Sequence, residues 1–282
     1  MSTPKNFFVI KLKLYQAIFL YELYHIKTEI GTVENKITNF YTKIMGLPAK
    51  ILEFALDILF PKFCLNCGTE GSYLCPDCFS LIEILDRQYC PFCFPPKLVF
   101  DGKTCFSCKQ IKKLSGLYCA ASYENFIVKK LIHQFKYEPY VRELAKPLSS
   151  LIITHLQHLN KIDILRSSFL LVPVPLHKKK LKQRGFNPPE EIAKEIAKIL
   201  KIPIVNALVK IKQTPAQMEL KKEKREKNVL GAFRCSKPDL IRDARILLLD
   251  DVFTTGATLE ECARVLKDAG AKEVWGMVVA RG

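Results

Sequence analysis

The chain contains no Gly-x-x-x-x-Gly-Lys-Ser/Thr loop, which sets aside the P-loop nucleoside triphosphatases. It also lacks an unbroken apolar run suited to a transmembrane helix. Residues 7–24 come nearest, with Phe7, Phe8, Val9 and Ile10 followed by Ala17 to Tyr21. Lys11 and Lys13 interrupt them, however, and no small-x-small cleavage site follows. No secretory signal and no membrane span are therefore expected, and the stretch reads as a helix packed on the protein itself, with an amphipathic interfacial helix as the alternative. The cysteines form no secreted disulfide frame. They stand in metal-type pairs, which implies a reducing cytoplasm. Acid is also scarce: 28 Asp and Glu face 44 Lys and Arg among 282 residues, a formal charge of +16.

That charge is uneven. Residues 64–110 hold four basic and five acidic side chains, whereas residues 111–282 hold 32 basic and 18 acidic. An excess of +14 in the second stretch suits phosphorylated partners, whether nucleotide, sugar phosphate or nucleic acid. For individual lysines a solvated surface is an equal alternative. With 49% hydrophobic residues, the chain can bury a sizeable core.

Four Cys-x-x-Cys pairs follow one another: Cys64/Cys67, Cys75/Cys78, Cys90/Cys93 and Cys105/Cys108. Two thiolates at this spacing face one metal from a tight turn, and two such turns close a tetrahedral site. Eight cysteines therefore fit two structural zinc ions. Pairing in sequence order is favoured by the short links, and a crossed pairing stays open. Metal binding worth ~10–16 kcal/mol per site would outweigh any core so short a segment can build. Cys119, Cys235 and Cys262 read as small buried hydrophobes.

The pattern of elements divides the chain into three. Residues 1–50 read as a helical extension, with a short helix from Pro48 to Leu59 leading into the next part. Residues 51–115 read as a double zinc ribbon. Residues 116–282 alternate strands and helices, as in an α/β fold with a parallel sheet flanked by helices. Expected strands are Tyr118–Tyr123, Phe169–Pro175, Ile246–Leu249 and Val274–Ala280. Expected helices are Ile127–Phe135, Arg142–His155, Glu190–Leu200 and Leu259–Asp268. Lys210–Asn228 is basic and poor in apolar residues, so it reads as a mobile excursion.

The richest stretch is Ile246-Leu-Leu-Leu-Asp-Asp-Val-Phe-Thr-Thr-Gly-Ala-Thr-Leu259. Asp250 and Asp251 are expected where a buried strand ends, which is where open α/β sheets bind ligands. Thr254, Thr255, Gly256, Ala257 and Thr258 lead into a helix N-terminus, where free N–H groups favour an anion. The carboxylates accept from hydroxyls and the turn donates to a phosphate, so the pattern fits a phosphorylated sugar.

This stretch resembles the phosphoribosyl-pyrophosphate (PRPP) loop of type I phosphoribosyltransferases. Val172-Pro-Val-Pro175, Arg184-Gly-Phe-Asn187, and Gln213-Thr214…Gln217…Leu220…Arg225…Asn228-Val-x-Gly231-Ala-Phe233 narrow the likeness to the ComF/GntX family. The cysteine-rich ribbon after Leu59-Phe-Pro61 does the same. The likeness covers about residues 52–282. Pro188-Pro189 departs from the pattern, so the helix start there is expected to be shifted and Asn187 is a weaker candidate than Arg184. The resemblance implies a type I phosphoribosyltransferase-like sheet domain. In it Asp250 and Asp251 would bind the ribose hydroxyls and residues 254–258 the 5′-phosphate, with Mg²⁺ accompanying PRPP. Lys182, Arg184, Gly185 and Asn187 would lie on the pyrophosphate side, with Lys178, Lys179 and Lys180 adding charge. Gln217, Arg225 and Asn228 would belong to a flexible loop that closes over PRPP. No residue pair is required as a general base.

The family is also associated with DNA uptake in natural competence and with single-stranded DNA. Single-stranded DNA and DNA-uptake proteins are accordingly the expected partners, and a Mg²⁺-dependent phosphoribosyltransferase acting on an unidentified nucleobase or other acceptor is the alternative. Phe186 and Phe233 are the aromatic candidates near basic runs, fewer than a stacking platform usually shows.

Overall fold

Four apolar stretches pair into one parallel sheet. The computed structural model describes residues 61–138, 140–213 and 229–282. The expected extension over residues 1–50, the Pro48–Leu59 helix and the loop residues Gln217, Arg225 and Asn228 lie outside the described residues. Phe63 to Gly282 form one compact unit.

The cysteine-rich segment opens that unit, with short helices α1 (Pro76–Ser80) and α2 (Phe106–Lys109). Strand β1 (Gly116–Ser122) follows, then helices α3 (Phe126–Lys136), α4 (Ala145–His158) and α5 (Ile162–Ser168). Next come β2 (Phe169–Pro173), α6 (Lys178–Arg184), α7 (Pro188–Leu200) and β3 (Leu208–Lys210). The order closes with β4 (Phe233–Cys235), α8 (Pro238–Ile241), β5 (Arg245–Phe253), α9 (Ala257–Asp268) and β6 (Glu273–Arg281). The main sheet runs β1-β6-β5-β2, all parallel, and β3 and β4 form a small antiparallel pair.

Each central strand is buried on both faces, as parallel sheets require. Leu247 and Leu249 of β5 join Met277 and Val279 of β6 in the core beneath α3, α4 and α7. Ile246 and Leu248 join Val274 and Val278 in a second core beneath α9 and the β3–β4 pair. On α7, Ile192, Ala193 and Ile196 are fully buried. They recur at the three- and four-residue spacing that keeps one helical stripe inward.

Two expectations need adjustment. The ladder does not stop at Leu249, since Asp250 pairs with Val278 and Val252 with Ala280. The acids therefore lie inside the last turns of the strand, held by β6. Residues 178–184, outside the expected helices, form helix α6. The His177 side chain accepts from the Lys179 N–H at the start (3.3 Å), and Gly185 ends the helix in the left-handed region at φ 80°.

The cysteine-rich segment has almost no core of its own beyond its thiols and Leu74. It borrows one: Ile82 is 4% exposed within the main core, and Leu65, Tyr73, Phe79 and Ile84 pack against that core. It also covers the outer edge of β1. The Leu85 N–H donates to Ala120 O (2.9 Å) and the Thr104 N–H to Ser115 O (2.9 Å). An open sheet edge is thereby masked.

Candidate functional site

Consecutive residues on a strand point to opposite sides, so Asp250 and Asp251 meet different surroundings. Asp251 continues the parity of Leu247 and Leu249 toward α3. There its Oδ1 lies 2.7 Å from Nζ of Lys136, the last residue of that helix. Burial weakens the Lys136 ammonium, but the Asp251 charge more than offsets this and holds its pKa above the ordinary lysine value. Asp250 faces the other side. Its Oδ1 accepts the Asp251 N–H (2.9 Å). Burial, then repulsion from Asp251, lifts its pKa to about 7, with Lys136 and Lys210 pulling the other way.

Further cations line the same end of the sheet. The Val174 N–H donates to Leu249 O (2.9 Å), so the chain leaves β2 alongside the acids and enters α6. Arg184 at the end of α6 lies over the Tyr140 ring at 6.0 Å. Burial depresses its pKa while Asp251 supports it. Lys210, bridged in parallel to His177, is depressed by burial and by Lys180, with Asp250 opposing. Cations held below their ordinary pKa gain from an arriving anion.

The segment after β5 makes the turn. Gly256 starts α9 at φ 77° and offers no side chain to its first N–H groups. The Ala257 N–H approaches Thr255 Oγ1 (3.4 Å). Thr254 is exposed, and Thr255 and Thr258 are half-buried. A Cβ at position 256 would meet the Phe253 ring at 2.4 Å, so only glycine fits beneath that ring. A concavity of about 10 Å³ lies within the turn, lined in part by Asp250, Thr254, Gly256 and Thr258. It has room for about one water.

The structure brings Asp250, Asp251, residues 254–258 and Arg184 to one edge of the sheet. Lys182 is on the exposed face of α6, and Gly185 serves as the cap. Asn187 is 7% exposed and its Nδ2 donates to Val174 O (3.0 Å). It therefore ties the start of α7 to the strand exit, and Pro188-Pro189 occupy the first helical positions. Sequence reasoning missed Lys136 and Lys210. Lys136 lies far from Asp251 in the chain, and no local pattern announces it. Phe186 (7% exposed) and Phe233 (4%) are buried, which removes both as stacking candidates.

The eight paired cysteines gather into two clusters in sequence order. Cys64, Cys67, Cys75 and Cys78 lie within 4.8 Å of one another, and so do Cys90, Cys93, Cys105 and Cys108. Sulfur separations of 3.6 Å (Cys67–Cys75), 3.5 Å (Cys93–Cys105) and 3.7 Å (Cys93–Cys108) match the ~3.8 Å edge of a tetrahedron with ~2.3 Å metal–sulfur bonds. Backbone N–H groups of Cys75 and Cys105 point at Cys64 Sγ (3.5 Å) and Cys90 Sγ (3.4 Å). Burial and the neighbouring thiols push Cys108 up to about 12. Four sulfurs this close could hold one cation between them as thiolates. Cys119 and Cys262 are buried as expected, and Cys235 is half-buried.

The phosphoribosyl transferase domain family matches residues 190–282. That match, the parallel sheet and the turn after β5 define a phosphoribosyltransferase-type fold carrying two four-cysteine clusters. Competence protein F of Haemophilus influenzae is 28% identical over 213 residues, covering 73% of this chain and 90% of that protein. DNA utilization protein YhgH of Escherichia coli is 29% identical over 194 residues (67% and 83%), and competence protein ComFC of Bacillus subtilis 26% over 207 (70% and 79%). Over most of its length the chain is similar to these ComF-type competence and DNA utilization proteins. Among solved structures, a glutamine PRPP amidotransferase from B. subtilis superposes with a TM-score of 0.30 at 17% identity, covering 48% of this chain and 26% of that one. No helix among the described residues is long and apolar enough to cross a membrane.

Proposed function

We propose that the protein binds a phosphorylated ribose, PRPP or its 5-phosphate, at the carboxyl edge of β5 and serves DNA uptake by handling single-stranded DNA. The observation that carries the first half is the adjacency of two enclosed carboxylates, a glycine-started helix N-terminus and the cations Lys136, Arg184 and Lys210. Asp250 and Asp251 accept from the ribose hydroxyls, and Thr254 to Thr258 hold the 5-phosphate. Arg184 and Lys182, with Gly185 and Asn187 shaping their segment, face the diphosphate. Gln217, Arg225 and Asn228 belong to the loop that closes over the ligand and excludes water. Mg²⁺ bound with PRPP would be held on this side by Asp250 and Asp251, and each four-cysteine cluster takes one structural Zn²⁺. Residues 51–115 act as the ribbon and 116–282 as the sugar-phosphate domain, in the cytoplasm.

The second half is supported by the names of the relatives above, by the basic excess and by the surface. Phe100 and Phe106 are each 81% exposed and Phe126 is 67% exposed. Lys103 lies 5.9 Å from the Phe100 ring and Lys130 5.7 Å from the Phe126 ring. Exposed rings with ammonium groups beside them suit stacked bases and a polyanionic backbone. Single-stranded DNA affinity should fall steeply with salt, and DNA-uptake proteins are the partners to which a strand would be passed.

The ligand assignment is tested by titration calorimetry with PRPP and Mg²⁺. Asp250→Asn with Asp251→Asn abolishes binding, and unchanged heat in that double variant would refute the assignment. Pyrophosphate release from PRPP, with and without single-stranded DNA, separates a binding role from turnover. Turnover would place a nucleophilic acceptor against C1 and rely on charge stabilisation by the same cations.

A further inference from the structure

The second cysteine cluster touches the turn after β5. Phe92 stands between the ligands Cys90 and Cys93. Its ring meets Phe253 edge-on with centroids 6.3 Å apart. The same ring closes over Gly256, where an added Cβ would come within 3.2 Å of it. Arg281 pairs with Phe253 across β5 and β6. Its guanidinium lies over the Phe253 ring at 5.5 Å and donates to the carbonyls of Pro91 (3.3 Å) and Cys90 (3.5 Å). On the helical side of the turn, Glu260 accepts the N–H groups of Lys113 (2.7 Å) and Leu114 (3.1 Å), just past the last cysteine. One end of the turn is thus tied to the Cys90–Cys93 knuckle and the other to the backbone that follows the second cluster. Beside the contact lies a cavity of about 190 Å³, bordered by Phe92, Lys112, Leu230, Gly256 and Arg264, and Lys112 Nζ stands over the Phe92 ring at 5.1 Å.

The turn needs such a support. Gly256 sits at φ 77°, and glycine leaves the backbone free to move unless something holds it. An anion site of N–H and hydroxyl donors binds well only when they are fixed beforehand. Phe92 can press on Gly256 and Phe253 only while Cys90 and Cys93 are themselves anchored, and a metal shared with Cys105 and Cys108 supplies that anchor.

We propose that Phe92 and Arg281 are positioning residues through which the metal-loaded second cysteine cluster holds the Thr254–Thr258 turn in its anion-binding form. Anion affinity at the turn therefore depends on metal in the Cys90/Cys93/Cys105/Cys108 cluster. This rests on the turn being a sugar-phosphate site. The test measures ribose 5-phosphate affinity and zinc content on the full chain. Phe92→Ala should keep its zinc yet bind ribose 5-phosphate about tenfold more weakly, the cost of losing fixed geometry, and Phe92→Tyr should restore affinity. Cys108→Ser should lose one zinc and the affinity together. Wild-type affinity in Phe92→Ala, or in a folded Cys108→Ser with one zinc, overturns the proposal. A wild-type chain that does not bind ribose 5-phosphate overturns the sugar-phosphate site itself.

Discussion

Asp250 shows how one carboxyl can be costly in the empty protein and useful in the loaded one. Its pKa of about 7 against an ordinary 3.8 means that the folded state holds a proton that the unfolded chain releases. Between pH 4 and 7 this group therefore erodes stability as pH rises. Asp250→Asn should match wild type in thermal midpoint near pH 4 and exceed it at pH 8, while losing the sugar ligand. His155 works in the opposite sense. Its Nδ1–H donates to Leu85 O (2.7 Å), and burial lowers its pKa from 6.5 to about 4. It stays neutral in the fold, so its contribution is complete above pH 6.5 and fades as pH falls toward 4. Asp250→Asn should leave that rising limb exposed in a pH series of unfolding midpoints. If PRPP and Mg²⁺ bind here as proposed, they need the ionised carboxylate, and calorimetric affinity should strengthen from pH 6 to 8. The acids themselves were legible in the sequence because they follow an apolar run. Their different partners were not, because strand alternation sends them to opposite faces and Lys136 arrives from α3.

Among the elements, the long apolar runs were readable and the short or polar pieces were not. Strands β1, β2 and β6 fall within two residues of their expected ends, because short runs of apolar and small residues mark a doubly buried strand. Strand β5 runs past its apolar run because Asp250 and Val252 keep pairing with β6, and hydropathy carries no trace of a hydrogen-bond ladder. The three-residue strands β3 and β4 are too short for any period. Helix α6 was hidden by its own lysines, which give no apolar stripe, and it depends on His177 and Gly185 at its ends. Gly116 reads as an ordinary strand start, yet a Cβ there would meet the Trp275 ring at 2.4 Å and the Gly102 carbonyl oxygen at 2.7 Å. Gly116→Ala should destabilise the protein by at least ~1–3 kcal/mol, the range for overpacking a tight site. Denaturant midpoints will show this, and an unchanged midpoint would mean that β1 and β6 part easily.

At the scale of the molecule, the ribbon and the sheet share one core and one edge. Metal analysis should find two zinc ions per chain, and a result of one, or of iron, would contradict the two-site assignment. Chelation should release the outer edge of β1 while the β5–β6 centre stays protected. Hydrogen exchange at Leu85, whose N–H reaches Ala120 of β1, and at Thr104, whose N–H reaches Ser115 just before it, will report it. The covered edge also bears on how the chain is made. Gly116 of β1 pairs with Trp275 of β6, so β1 is synthesised long before its sheet partner exists. Pairing so distant in sequence is slow, because the intervening loop must close first. The knuckles precede β1 and emerge ahead of it. Knuckles that fold on metal, as proposed above, would offer β1 a cradle on its outer side before its sheet partner has been made.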